Sequence, residues 1–85
     1  MECVKNIAVV FNKGVKNPYP VLQKLEQSLI EKGAKPEILE INEMRYGFDF
    51  VFAVGGDGTI LHVSKFYAMS KTPVLGVNLG RLGYL

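Results

Sequence analysis

An α/β fold built on a largely parallel sheet is the expectation for this chain, and three features carry it. Two continuous apolar runs rich in β-branched or aromatic residues, Ile7-Ala8-Val9-Val10-Phe11 and Phe50-Val51-Phe52-Ala53-Val54, suit strands buried on both faces. Stretches of helical periodicity stand between the strand-like runs, in the order strand, helix, strand, strand, helix, strand. Glycine-containing loops follow strands directly. In such sheets ligands sit beyond the carboxyl ends of the strands, so both glycine loops should lie at one rim.

The elements follow in order. Residues 7–11 form the first strand. Residues 12–19 carry Gly14, Asn17 and Pro18 and read as a loop. Asn17 and Tyr19 each precede a proline, which suits a helix start. Val21, Leu22, Leu25, Leu29 and Ile30 then recur at helical spacing, with Gln23, Lys24, Gln27 and Glu31 away from that face. Gly33 suits the position just past the helix end. Residues 36–41 alternate Ile38, Leu39 and Ile41 with glutamates and read as a shorter strand nearer the sheet edge. Residues 42–48 fit a turn or a short helix. The strand 50–54 is broken by Gly55-Gly56-Asp57-Gly58-Thr59, and 60–69 reads as a helix with Ile60, Leu61, Val63, Phe66, Tyr67 and Ala68 inward or partly so. Residues 73–77 form a further strand, and 78–83 a second glycine-containing loop.

The chain has 85 residues, one small domain at most, with a hydrophobic share of 48% and a charged share of 21% that are ordinary for a soluble globular chain. So short a chain buries a modest fraction of its surface and is marginally stable alone. It stops at Gly83-Tyr84-Leu85, where a new apolar stretch begins, and this suggests a piece of a longer protein. A net charge of +2 with scattered lysines argues against nucleic acid as partner. The single cysteine, Cys3, excludes an intrachain disulfide and reads as a small buried thiol. One Cys and one His do not support a zinc site. No signal peptide or membrane span is legible, so no membrane partner is expected and the cytoplasm is the default location.

Residues 55–59 carry the most chemistry. Three glycines in four positions permit positive φ angles and remove side-chain bulk, so backbone N–H groups can approach an anion. The N-terminus of the following helix favours phosphate at the same place. Asp57 would repel that phosphate, and three roles account for it: capping the helix, binding a cation that bridges to phosphate, or accepting a proton from a hydroxyl that attacks phosphorus. A tight turn with Asp57 as helix cap is the purely structural alternative. The spacing is neither the dinucleotide-binding fingerprint nor a P-loop.

Val54-Gly55-Gly56-Asp57-Gly58-Thr59-Ile60-Leu61 resembles the signature of the NAD kinases, whose Gly-Gly-Asp-Gly core is shared with diacylglycerol, sphingosine and 6-phosphofructo-kinases. The run from Pro73 to Leu85 is similar to the next NAD kinase motif, a strand followed by Asn-x-Gly-x-Leu-Gly-Phe-Leu, with Tyr84 in place of the commoner Phe. The two motifs cover residues 51–85; the first fifty match in general pattern alone. The resemblance implies a Rossmann- or flavodoxin-like three-layer α/β lobe, residues 1–85 being an incomplete N-terminal nucleotide-binding domain whose β-rich partner domain is absent.

It also implies an activity: transfer of a phosphoryl group from ATP, or in some members polyphosphate, to the adenosine ribose 2′-hydroxyl of NAD, giving NADP. A divalent cation, usually magnesium, accompanies the nucleotide, and the family is usually oligomeric. Asp57 would be the base. Asn12 and Lys13 would help hold ATP phosphates, with an exposed loop lysine as the alternative. Gly55, Gly56, Gly58, Thr59, Asn78, Gly80 and Gly83 would shape the nucleotide site. Arg81 would meet phosphate or stand as a surface charge, and Leu82 and Tyr84 would pack on a flat ring or belong to the core. His62 matches a basic dinucleotide contact five positions after the motif aspartate, or is a structural or surface histidine. The 85 residues alone are expected to be inactive. Two other functions compete: a lipid or sugar kinase with the same glycine turn, and a nucleotide-binding module without catalysis.

Overall fold

A computed structural model describes residues 5–14 and 17–79. Cys3, Gly80, Arg81, Leu82, Gly83 and Tyr84 lie outside the described residues. The elements are β1 (Asn6–Phe11), α1 (Tyr19–Glu31), β2 (Lys35–Glu40), a 3-10 turn at Ile41–Glu43, β3 (Phe50–Gly55), α2 (Asp57–Ala68) and β4 (Val74–Asn78). The four strands form one sheet in the order β2-β1-β3-β4, and every neighbouring pair is parallel. This is the α/β class that the alternating pattern predicts.

The two central strands are the two apolar runs. Along β1, Ala8 and Val10 pack towards α2, while Ile7, Val9 and Phe11 pack towards α1. Along β3, Val51 and Ala53 share the α2 side and Val54 the α1 side. A helix on each face therefore explains why neither strand alternates with polar residues. β2 is at a sheet edge, as its glutamates indicate. It is six residues long, the same length as β1, so the expectation of a shorter strand is not met.

Helix α1 begins at Tyr19, with Pro20 in its first turn where no N–H is needed. Asn17 accepts from the Tyr19 N–H through Oδ1 at 3.2 Å, so the short polar side chain sets the entry from just outside the helix. At the other end Gly33 has φ of 87°. Gly33 N–H donates to the Ile30 carbonyl and Ala34 N–H to the Leu29 carbonyl, both at 3.0 Å, the paired bonds of a Schellman ending. Leu22 and Leu29 are buried. Ile30, expected inward, is 50% exposed.

Helix α2 starts at Asp57, earlier than the expected start near Thr59 or Ile60. Glycines usually read as helix breakers, but Gly58 here is helical. Val63 and Tyr67 are fully buried, while Leu61 and Ala68 are exposed, contrary to the expectation that they face inward. At 100° per residue Ile60, Val63, Phe66 and Tyr67 share one side, while Leu61 and Ala68 fall among Asp57, Ser64 and Lys65 on the other, so these two apolar residues lie off the buried stripe. Two glycines set how closely it lies on the sheet. A Cβ at Gly55 would meet the Thr59 Cβ at 2.8 Å, and one at Gly76 would meet Ile60 Cγ2 at 2.8 Å. Neither position has room for a methyl group.

The segment between β2 and β3 is a 3-10 turn followed by an irregular stretch held beneath α2. Tyr46 stacks on Phe66 with ring centroids 4.7 Å apart, and the buried Tyr67 hydroxyl donates to the Arg45 carbonyl at 2.7 Å. Burial raises the Tyr67 pKa above its ordinary value of 10.0. The folded protein thus keeps the phenol protonated where the unfolded chain would ionise it. This contribution is complete below the unfolded pKa and is lost as pH rises through the folded one. Tyr67→Phe should cost about 0.5–1.5 kcal/mol at neutral pH, since the Arg45 carbonyl loses its donor. It should also flatten the loss of stability at alkaline pH; urea unfolding of both forms across that range checks this.

Candidate nucleotide site at the strand carboxyl ends

β1 continues through α1 to β2 on one side, and β3 continues through α2 to β4 on the other. The chain therefore leaves the carboxyl ends of the adjacent strands β1 and β3 in opposite directions. That divergence opens a crevice between them, the usual place for a ligand in an open parallel sheet. Register pairs Phe11 with Val54, so Asn12 leaves β1 beside Gly55. Asn12 and Lys13 follow β1 at this rim, and residues 56–59 follow β3. Asn78 ends β4 and pairs with Gly55 across the far side of β3. The sequence expectation that these segments share one rim is met for every described residue among them.

The glycine turn differs in detail from its sequence reading. Gly33 and Gly47 are the glycines with positive φ among the described residues; Gly55, Gly56 and Gly58 are not among them. Gly55 is bare because Thr59, itself buried, packs on it. Gly56 and Gly58 are different: a Cβ at either would meet nothing within 4 Å. Gly56 is the N-cap of α2, in extended conformation with φ of −91° and ψ of −174°. The fold asks for glycine at Gly55 and leaves open space above Gly56 and Gly58.

Asp57 is the first residue of α2; the cap position belongs to Gly56, and no side chain caps the helix there. The helix-cap account of this carboxylate is therefore set aside. Its charge still lies in the first turn, where the helix dipole is favourable to it. The first i→i−4 bond runs from Ile60 N–H to the Gly56 carbonyl at 3.0 Å. The N–H groups of Gly58 and Thr59 stand ahead of that ladder, at the helix end that attracts anions. Asp57 is exposed, and its Oδ1 accepts from Asn78 Nδ2 at 2.5 Å.

Asn12 works within its own loop: its Oδ1 accepts from Gly14 N–H at 3.0 Å, closing an Asx-turn after β1. Lys13 is exposed, and its backbone N–H donates to Glu40 Oε2 at the end of β2 at 3.5 Å. His62 is on the solvent face of α2, where it lines a surface pocket of about 250 Å³ with Lys65 and Phe66. Five residues along a helix turn the side chain about 140° from Asp57. His62 is four residues on from Gly58, so these two stand one turn apart on the same exposed side of α2. Glu40, at the end of β2, is a rim carboxylate that sequence reasoning did not single out. It accepts from Asn42 N–H at 3.3 Å while its own N–H donates to Glu43 Oε1 at 3.0 Å. The Glu-x-x-Glu spacing was the available signal. Among the described residues no group of three or more His, Cys, Asp or Glu side chains is placed to hold a metal ion. No helix among them is long and apolar enough to cross a membrane.

The family model for the ATP-NAD kinase N-terminal domain matches residues 2–85. An NAD kinase of Caldanaerobacter subterraneus subsp. tengcongensis is 34% identical over 96 residues, covering 96% of this chain and 34% of that protein. An NAD kinase of Carboxydothermus hydrogenoformans is 51% identical over 49 residues, 58% of this chain and 18% of the relative. One from Clostridium kluyveri is 54% identical over 37 residues, 44% of this chain and 13% of the relative. The chain thus spans at most about a third of the length of these relatives. No solved structure matches.

Proposed function

The chain belongs to the family of ATP-NAD kinase N-terminal domains, and from that premise we propose that the whole protein phosphorylates the adenosine ribose 2′-hydroxyl of NAD, with ATP or polyphosphate as donor, to make NADP. One observation supports the reading most. A turn with open space above Gly56 and Gly58 sits at the N-terminus of α2, with a carboxylate as that helix's first residue. Phosphate binding alone gains nothing from the carboxylate; phosphorylating an alcohol does.

The division of work follows from the positions. The α2 N-terminus and the glycine backbone receive phosphate oxygens, and Lys13 supplies positive charge from across the crevice. Phosphoryl transfer of this kind depends mainly on positioning and on neutralising phosphate charge. Asp57 orients the ribose hydroxyl and takes its proton as the new P–O bond forms. An aspartate carboxylate is too weak a base to remove that proton beforehand. A magnesium ion would enter on the nucleotide phosphates, with Asp57 the carboxylate of this turn nearest to them.

The test is an assay of the full-length protein with ATP and magnesium against NAD, a diacylglycerol, a sphingoid base and a sugar phosphate. Formation of NADP with no lipid or sugar product is expected. ATP binding without any phosphorylated product would leave only a nucleotide-binding module.

A further inference from the structure

Asn78 is joined to the glycine turn by the sheet rather than by sequence. It ends β4, opposite Gly55 in the parallel register. Gly76, two residues earlier on the same face, is bare beneath Ile60, which lets the start of α2 lie close against β4. That approach brings the half-buried Asn78 amide to Asp57, and Nδ2 donates to Oδ1. We infer that Asn78 is a positioning residue: its side-chain amide fixes the carboxylate of Asp57 in the orientation that receives the acceptor hydroxyl's proton.

The need for such a partner follows from where Asp57 stands. Asp57 stands in the first turn of a helix, one position past the cap, and its carboxylate must be held in one rotamer to serve as a proton acceptor. A proton acceptor works only within hydrogen-bond reach and in a defined direction. The amide donor comes from a sheet strand, so it is referenced to the rigid core and not to the helix it orients. This inference rests on the kinase reading above. It differs from a role for Asn78 in holding nucleotide, because it acts through Asp57 on turnover and not on affinity.

The experiment uses the full-length protein with Asn78→Leu, Asn78→Ala and Asn78→His, each checked for an unchanged thermal midpoint. Leu and Ala remove the donor. His carries an N–H at Nδ1, the same number of bonds from Cα as Asn Nδ2. Loss of the donor should lower kcat roughly 10- to 100-fold while KM for ATP and for NAD stays near the wild-type value. Asn78→His should restore much of the kcat. An Ala variant of wild-type kcat would overturn the inference while leaving the kinase reading intact, as would a raised KM with unchanged kcat or a His variant no better than Ala. If Asn78→Leu does not fold, the Ala and His pair decides. Wild-type protein that forms no NADP would instead overturn the kinase reading, and this inference with it.

Discussion

Asp57→Asn in the full-length protein is expected to fold normally and lose nearly all NADP formation. Loss of a positioned proton acceptor costs about 10²–10⁴-fold in rate. The side chain is exposed and Gly56 holds the cap position, so the substitution opens no cavity and breaks no cap. It removes one negative charge from the first turn of α2, worth about 0.3–1 kcal/mol of dipole interaction. The amide retains an oxygen able to accept from Asn78, so local geometry should persist. Stability and turnover therefore separate. ATP affinity should be kept or improved, because a like charge beside the phosphates is gone. Single-turnover measurement of NADP together with an ATP titration checks both halves. Substantial remaining turnover would assign the carboxylate to nucleotide or cation binding instead of proton transfer.

Most of this arrangement was legible in the sequence, for reasons that also mark where legibility stops. β1 and β3 were readable because a parallel strand covered by helices on both faces needs an unbroken apolar run, and few other structures do. Gly33 was readable because the helical repeat ends at Ile30 and a left-handed residue must follow it. The shared rim of residues 12–13, 55–59 and 78 followed from parallel strands alone. The start of α2 did not follow, because Gly56, Asp57 and Gly58 score as breakers while their conformation is set by packing after Gly55. Leu61 and Ala68 read as inward because they are apolar, but the helical period sets them among Asp57, Ser64 and Lys65, away from the stripe that meets the sheet. The bond between Asn78 and Asp57 spans 21 positions and depends on the register of β3 with β4. No local pattern records that register.

The glycines of the turn are chemically identical and should respond in opposite ways to the same added methyl. Gly55→Ala places a Cβ 2.8 Å from both Cβ and Oγ1 of Thr59 and 2.9 Å from Cγ2. Thr59 is buried, and its Cβ is fixed to the helix backbone, so the clash cannot be relieved by a rotamer change. α2 must lift from the sheet, and the expected cost is about 1–3 kcal/mol, typical of overpacking. Lifting α2 also carries Asp57 away from Asn78, so activity should fall with stability. Gly58→Ala meets open space and needs no left-handed backbone. It should be neutral or stabilising by about 0.4–1 kcal/mol through the unfolded chain. Its methyl group nevertheless occupies the approach to the helix N-terminus, so ATP affinity should drop. Urea unfolding and nucleotide titration of the two variants in the full-length protein form a two-by-two comparison. Thr59→Ala should relieve part of the Gly55→Ala penalty, since it clears Oγ1 and Cγ2, and should leave the Gly58→Ala affinity loss unchanged. If Gly58→Ala binds ATP as wild type does, the open space above this turn is not where the phosphates lie.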